Sequence, residues 1–245
     1  MPAPPKPDQE LLERGVLVRL NGIDADYGAD PVLLAVDFEL HAGETAIVTG
    51  PTSAGKTSFL HVLRLALPPK HGAATILGAD ATRLNAKARA RLKRQIGYVA
   101  ENPTFVEHWT AFDNIALPLR LSGLKPKDYE QDVEELVDFV GLGSAANAPA
   151  GHLSNAARRR AAIARALATK PLMLLADDPT AGMSPEGGRR MVRLLAEMRR
   201  VGTGVVIVSQ DEALGEDVPA ARWRLDRGRL SPQDIAEPAD QEAFR

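Results

Sequence analysis

No cysteine occurs among the 245 residues, which excludes disulfides and thiolate metal sites. His41, His61, His71, His108 and His152 are scattered without ligand spacing, so a histidine metal cluster is not expected. Nor is there an apolar run near the roughly 20 residues that span a bilayer; the longest are pieces such as 172–176 and 205–208. Any membrane role therefore has to come through a partner. The start, Met1-Pro-Ala-Pro-Pro-Lys-Pro, lacks the apolar core of a signal peptide, and a cytoplasmic location is expected. A formal net charge of −2 offers no global field for nucleic acid, and none is expected as a partner. With 44% hydrophobic residues the chain can bury a proper core, as one large domain or two small ones.

What is present centres on Gly50-Pro51-Thr52-Ser53-Ala54-Gly55-Lys56-Thr57-Ser58, which fits Gly, four residues, Gly, Lys, Thr. Ala46-Ile47-Val48 precedes it as a buried strand, and Phe59, Leu60, Leu63 and Leu67 follow at helical spacing until Pro68-Pro69. The loop thus joins a strand to a helix N-terminus, where unpaired backbone N–H groups and the positive end of the helix dipole favour anions. Lys56 adds a point charge for the β and γ phosphates, and the Thr57 hydroxyl is suited to ligate Mg²⁺. A glycine-rich turn that binds nothing would not need both flanking elements. The pattern predicts a nucleoside triphosphate site with ATP and Mg²⁺ as ligands.

The rest of the chain reads as alternating strands and helices. Val16, Val18 and Leu20 alternate as one strand and Val36, Phe38 and Leu40 as another, with a turn-rich connection over 21–31. Tyr27 lies in that connection, where its ring could stack on an adenine or simply cover the small sheet. Residues 75–77 offer a further short strand. Residues 82–95 read as a helix with Arg83, Lys87, Arg89, Arg91, Lys93 and Arg94 and no acid; Arg83, Lys87, Arg91 and Arg94 share one face. A solvated face is the plainer account, an anionic lipid or acidic partner the sharper one. Residues 96–99 form a buried strand ending at Glu101-Asn102-Pro103, and strand ends are where α/β sheets handle ligands.

From 104 to about 153 the pattern is helical, with Val133, Leu136, Val137 and Val140 as an apolar stripe on an acidic helix. Ser154 can cap the next helix, whose first turns carry Arg158, Arg159 and Arg160 against the dipole, so a compensating anion is expected. Residues 172–176 are a buried strand presenting Asp177 and Asp178, an acidic turn or Mg²⁺ ligands. Ser184-Pro185 opens a helix with Met191, Leu194, Leu195 and Met198 inward, ended by Gly202. Residues 205–208 are a strand ending at Ser209-Gln210-Asp211, and Trp223 and Leu225 lead into a hairpin at Asp226-Arg227-Gly228. The fold class is α/β, a phosphate-loop core with a mostly parallel sheet, an N-terminal antiparallel β piece and a helical insert over about 104–167. The expected domain is 14–230, between tails at 1–13 and 231–245.

Phosphate loop, helical insert, Leu153-Ser154 helix and Leu-rich acidic strand, in that order, make residues 16–230 resemble an ABC-type ATPase domain. Within that class Leu92-Lys-Arg-Gln-Ile-Gly97, Phe112-Asp-Asn-Ile-Ala-Leu-Pro118, Leu174-Leu-Ala-Asp177 and Arg200-Val-Gly-Thr203 are similar to cell-division ATPases of the FtsE type. The resemblance implies pairing with an integral membrane permease-like subunit of the FtsX type, peripheral attachment at the inner face of the plasma membrane, and regulation of cell-wall hydrolysis. A lipoprotein-release or efflux ATPase is the near alternative. It also implies a homodimer with each nucleotide sandwiched between one phosphate loop and the other copy's signature segment. Tyr27 then becomes the adenine-stacking aromatic, Asp177 the Mg²⁺-organising acid, and 105–119 the surface receiving the permease.

Against the family pattern, Glu101 replaces a glutamine near Mg²⁺ and the γ-phosphate. The signature Leu-Ser-Gly-Gly-Gln reads Leu153-Ser154-Asn155-Ala156-Ala157. The usual glutamate base is Asp178, the segment Ala181-Gly182-Met183-Ser184 lacks its aspartate, and the switch histidine is Gln210. These departures imply either a slow ATPase or a nucleotide-binding pseudoenzyme; an unrelated phosphoryl-transfer enzyme would need a second-substrate pocket that the sequence does not suggest.

Overall fold

The computed structural model describes residues 11–12, 14–28 and 30–233. Its central layer is a six-stranded sheet of β3 (Thr45–Thr49), β6 (Ile96–Val99), β7 (Met173–Asp177), β8 (Gly204–Ser209), β9 (Ala221–Asp226) and β10 (Arg229–Pro232), in the order β10-β9-β3-β8-β7-β6. All its pairings are parallel except the β9–β10 hairpin. Since β3, β7 and β8 are buried on both faces, their sequences are continuous apolar runs, and residue parity decides which layer each side chain enters. Ala46, Val48, Met173, Leu175, Val206 and Val208 point into one core, and Ile47, Leu174, Ala176, Val205 and Ile207 into the other.

The first core is closed by α1 (Lys56–Leu63) and a four-stranded antiparallel sheet of order β2-β1-β4-β5. Its strands are β1 (Val16–Asp26), β2 (Pro31–His41), β4 (His71–Ile76) and β5 (Ala79–Asp80). Phe59 of α1 is fully buried edge-to-face on Phe38, with ring centroids 5.1 Å apart. Burying such a ring contributes about 1.5–3 kcal/mol, so the phosphate-loop helix is anchored by its apolar side. The second core is covered by α3 (Ala111–Leu121), α4 (Glu130–Phe139), α5 (Asn155–Leu167) and α6 (Pro185–Glu197).

Several sequence-based boundaries change. Residues 21–26, expected as turn, continue β1, because the strand accommodates irregular register against β2 at 20–23 and 23–25. The strand expected at 75–77 begins at His71. The basic helix spans only Ala86–Lys93 (α2), because the Asn85 side chain accepts the Ala88 N–H and starts it there; Arg83 falls outside and pairs with Asp80. Pro232 still pairs in β10, two residues beyond the expected domain end. Of the tails, 1–10, 13 and 234–245 lie outside the described residues, while Leu11 is buried and Leu12 packs on the first core.

Candidate functional site

Four neighbouring parallel strands end at one edge, and the loops leaving them carry the candidate residues: Gly50 after β3, Glu101 after β6, Asp178 after β7 and Gln210 after β8. Edges of this kind are where open α/β sheets bind ligands. A cleft of about 490 Å³ opens there, lined by Thr52, Ser53, Lys56, Thr57, Glu101 and Asp177 among others. Asp178, Gln210 and Gly55 also line it, so the sequence-predicted phosphate and acidic residues converge.

Glycine is required at two points of the loop. A Cβ at Gly50 would stand 2.0 Å from the Leu225 carbonyl oxygen, and one at Gly55, where φ is +106°, 2.6 Å from that of Val32. Gly55→Ala therefore combines a backbone clash with left-handed strain, costing about 1–3 kcal/mol. We expect the melting temperature to fall on the order of 2–4 °C per kcal/mol. An unchanged thermal unfolding midpoint would show that the loop relaxes freely.

Lys56 Nζ donates to the Gly50 and Pro51 carbonyl oxygens, each at 2.8 Å, which draws the ammonium across the loop mouth. Burial lowers its pKa, opposed by the charges of Asp178, Asp177 and Glu101. Asp177 is buried and its carboxyl is pushed up by desolvation, while hydrogen bonds with Thr57 and Tyr98 act the other way and the charges of Glu101 and Asp178 push it further up. Tyr98 donates to Asp177 Oδ2 at 3.3 Å; burial, then Asp177, push the phenol up to about 12, so it stays a donor.

The cleft thus sets Glu101, Asp177 and Asp178 against Lys56, an imbalance that a divalent cation would relieve. Among the described residues no group of three or more His, Cys, Asp or Glu could hold a metal by itself. Thr57 and Asp177, which both line the cleft, fit the other mode, Mg²⁺ held by few protein oxygens together with phosphates and water.

Asp178 sits at φ +42°, a conformation that aspartate tolerates better than most side chains. Ser209 Oγ donates to its Oδ1 at 3.1 Å, its N–H reaches the Val208 carbonyl at 2.9 Å, and Arg159 Nη1 donates to its carbonyl at 3.1 Å. Thr52 Oγ1 donates to Gln210 Oε1 at 2.9 Å, closing the far side of the phosphate loop. Sequence reasoning missed Ser209 and Arg159 as supports, and Pro31, Val32, Arg227 and Gly228 as lining residues. The hairpin turn at 227–228 was visible, but its packing was not: Gly228 N–H bonds the Ala54 carbonyl at 3.0 Å.

Tyr27 is 60% exposed, so it does not cover the small sheet. It is absent from the cleft lining, and its hydroxyl lies 3.0 Å from His61 Nδ1 on α1. None of 153–157 lines the cleft, although Asn155 shares a neighbouring cavity with Glu101. Ser154 caps α5 by accepting the Ala157 N–H, Asn155 and Ala156 are exposed, and Ala157 is buried in the helical core rather than turned outward. The expected anion opposite the arginines is Glu107, which takes both Arg158 nitrogens at 2.7 and 2.9 Å.

A family model described as ABC transporter matches residues 33–181. The chain is 31% identical over 202 residues to the lipoprotein-releasing system ATP-binding protein LolD of Bacteroides fragilis, covering 82% of this chain and 94% of that one. It is 30% identical over 217 residues to the cell division ATP-binding protein FtsE of Mycobacterium tuberculosis, covering 88% and 94%. To the methionine import ATP-binding protein MetN of Chromohalobacter salexigens it is 31% identical over 229 residues, 91% of this chain but only 65% of the relative's length. A dimeric ATP-binding cassette in a post-hydrolysis state with ADP and phosphate superposes with a TM-score of 0.81 at 25% identity, covering 88% and 97%.

Proposed function

The chain belongs to the ABC transporter family, and on that premise we propose that it is the ATP-binding subunit of a membrane complex of the cell-division type, coupling ATP binding and slow hydrolysis to an FtsX-like permease subunit. The observation that carries the nucleotide reading is the convergence of Lys56, Thr57 and Asp177 on one cleft beside the glycine-dependent loop. The loop N–H groups and Lys56 would hold the phosphates, Thr57 and Asp177 would hold Mg²⁺, and Tyr27, outside the cleft lining, would meet the adenine. When bound, Mg²⁺ neutralises charge on the β and γ phosphates. Asp178, fixed by Ser209 and Arg159, orients the attacking water, with Gln210 and Glu101 beside the γ-phosphate. In this reading two copies close on the nucleotides, the start of α5 in each facing the other's phosphate loop.

LolD and MetN relatives match as well as FtsE does, so the cell-division assignment rests on the residue stretches at 92–97, 112–118, 174–177 and 200–203. Among the described residues no helix is long and apolar enough to cross a membrane, which supports attachment through a partner. The 105–119 surface suits that role. Trp109 there is half-buried with the Arg120 guanidinium 4.9 Å from its ring, and Asn114, fully buried, accepts from Val106 N–H at 2.8 Å to hold the preceding loop.

Trp109→Ala should abolish co-purification with the membrane partner in detergent, where no bilayer is present, and leave binding of an ATP analogue unchanged. Retention of the partner at wild-type stoichiometry would remove this surface from the proposal. Loss of both properties would indicate unfolding, which circular dichroism identifies.

A further inference from the structure

Helix α2 carries charge that no carboxylate among the described residues pairs with. Several cations elsewhere in this protein are paired, as Arg158 is with Glu107, Arg193 with Asp217 and Lys70 with Asp26. Among the described residues none of Lys87, Arg89, Arg91, Lys93 or Arg94 forms an ion pair. The buried Nε of Arg89 has no hydrogen-bond partner. Burial, and then Arg64 and Arg89, press the Lys93 ammonium below the ordinary lysine range. The groove of about 540 Å³ beside the helix is lined by Lys93, Arg94 and Arg165 with Pro118 and Leu121, and no carboxylate lines it.

The outward side of α2 narrows the choice of ligand. Lys87, Arg91 and Arg94 are exposed at i, i+4 and i+7, so they form one stripe on a helix that has no buried residue. The other exposed side chains of α2 are only Ala86 and Ala90, and protein interfaces need an apolar, charge-depleted centre that this stripe lacks. Leu121, which lines the groove, is 80% exposed, and Leu124, three residues further along the chain, is 43% exposed. A row of cations beside protruding leucines fits an interface where anions are dense and diffuse and hydrocarbon lies just beneath.

We propose that the α2 stripe and the adjacent Leu121 rim form a direct docking face for an anionic phospholipid surface, adjoining the 105–119 surface and acting in addition to attachment through a partner subunit. Each basic residue near such a surface is worth about 1 kcal/mol, or roughly five-fold in partitioning. The test is flotation of the purified full chain, without nucleotide or partner, on vesicles rich in phosphatidylglycerol and on pure phosphatidylcholine. The expected result is selective binding to the anionic vesicles that weakens steeply as salt is raised. Replacing Lys87, Arg91 and Arg94 together by Gln should lower it about 10²-fold. Leu121→Ser should lower binding less and leave the lipid preference intact. All these positions are exposed and outside the nucleotide cleft, so retained binding of an ATP analogue verifies folding. Failure to bind anionic vesicles at low salt, equal binding by the triple variant, or equal binding to both lipids each overturns the proposal. Membrane binding that requires the partner assigns the stripe to an acidic protein segment instead. None of these outcomes bears on the nucleotide site, which the Lys56 variant tests.

Discussion

Lys56→Ala is expected to reduce affinity for a fluorescent ATP analogue by about 10–10²-fold with Mg²⁺ present. The ammonium donates to the Gly50 and Pro51 carbonyls, so its donors are collected at the loop mouth. Phosphate oxygens take those donors over, and a hydrogen bond to a charged group contributes about 1.5–3 kcal/mol. A second loss follows from the company Lys56 keeps. Glu101, Asp177 and Asp178 all act on it electrostatically, and without the cation three carboxylates face the polyphosphate. Lys56→Arg should not restore affinity, because a planar fork cannot replace a compact point charge in a site half-closed by backbone. The check is a titration of both variants beside wild type; equal dissociation constants for wild type and Lys56→Ala would eliminate this cleft as the nucleotide site.

Turnover is expected to be slow, and Asp178→Glu combined with Gln210→His should raise it more than either change alone. Asp178 is one methylene shorter than a glutamate, and misplacing a catalytic group on the order of 1 Å can cost about 10²-fold. The carboxylate is also engaged: Ser209 Oγ donates to Oδ1 at 3.1 Å, while the residue, at φ +42°, is held by its N–H to the Val208 carbonyl and by Arg159 Nη1 donating to its own carbonyl, so a longer side chain has to be accommodated in a braced turn. Gln210 spends its carbonyl oxygen on Thr52 and, as a neutral amide, can neither carry a proton nor a positive charge to the γ-phosphate. Asn155 and Ala156 place exposed side chains at the start of α5, where the proposed dimer would bring the second nucleotide. Residues that act as a unit are strongly non-additive, which is why the double change is the informative one. Single-turnover hydrolysis with the assembled complex measures this. Wild-type rates of roughly 1–10³ s⁻¹, ordinary for enzymes, would sink the reading. So would a double variant that stays inactive while ATP-dependent dimerisation is intact, and that outcome favours a nucleotide-binding scaffold.

The parts legible in the sequence are those decided by neighbours along the chain. The phosphate loop between a buried strand and a helix, the Ser154 and Ser184 caps and the two-residue hairpin turn are each set by a few adjacent residues. The apolar runs at 173–176 and 205–208 announced strands buried on both faces. Residues 21–26 and 82–85 misled because their turn-forming and helix-forming preferences are weak against pairing with β2 and β4 and against the Asn85 cap.

Tertiary structure alone decided the rest, because the contacts join residues far apart in the chain. Thr52 meets Gln210, Gly228 braces Ala54 and Leu225 crowds Gly50, though more than 150 residues separate each pair. Strand order places those distant loops at one sheet edge, and no local propensity encodes strand order. The same holds for unpaired charge. Composition showed six cations between 82 and 95, but only packing could show that Glu107 neutralises Arg158 while no carboxylate among the described residues pairs with Lys93 or Arg94, since neutralisation depends on what a side chain faces across space.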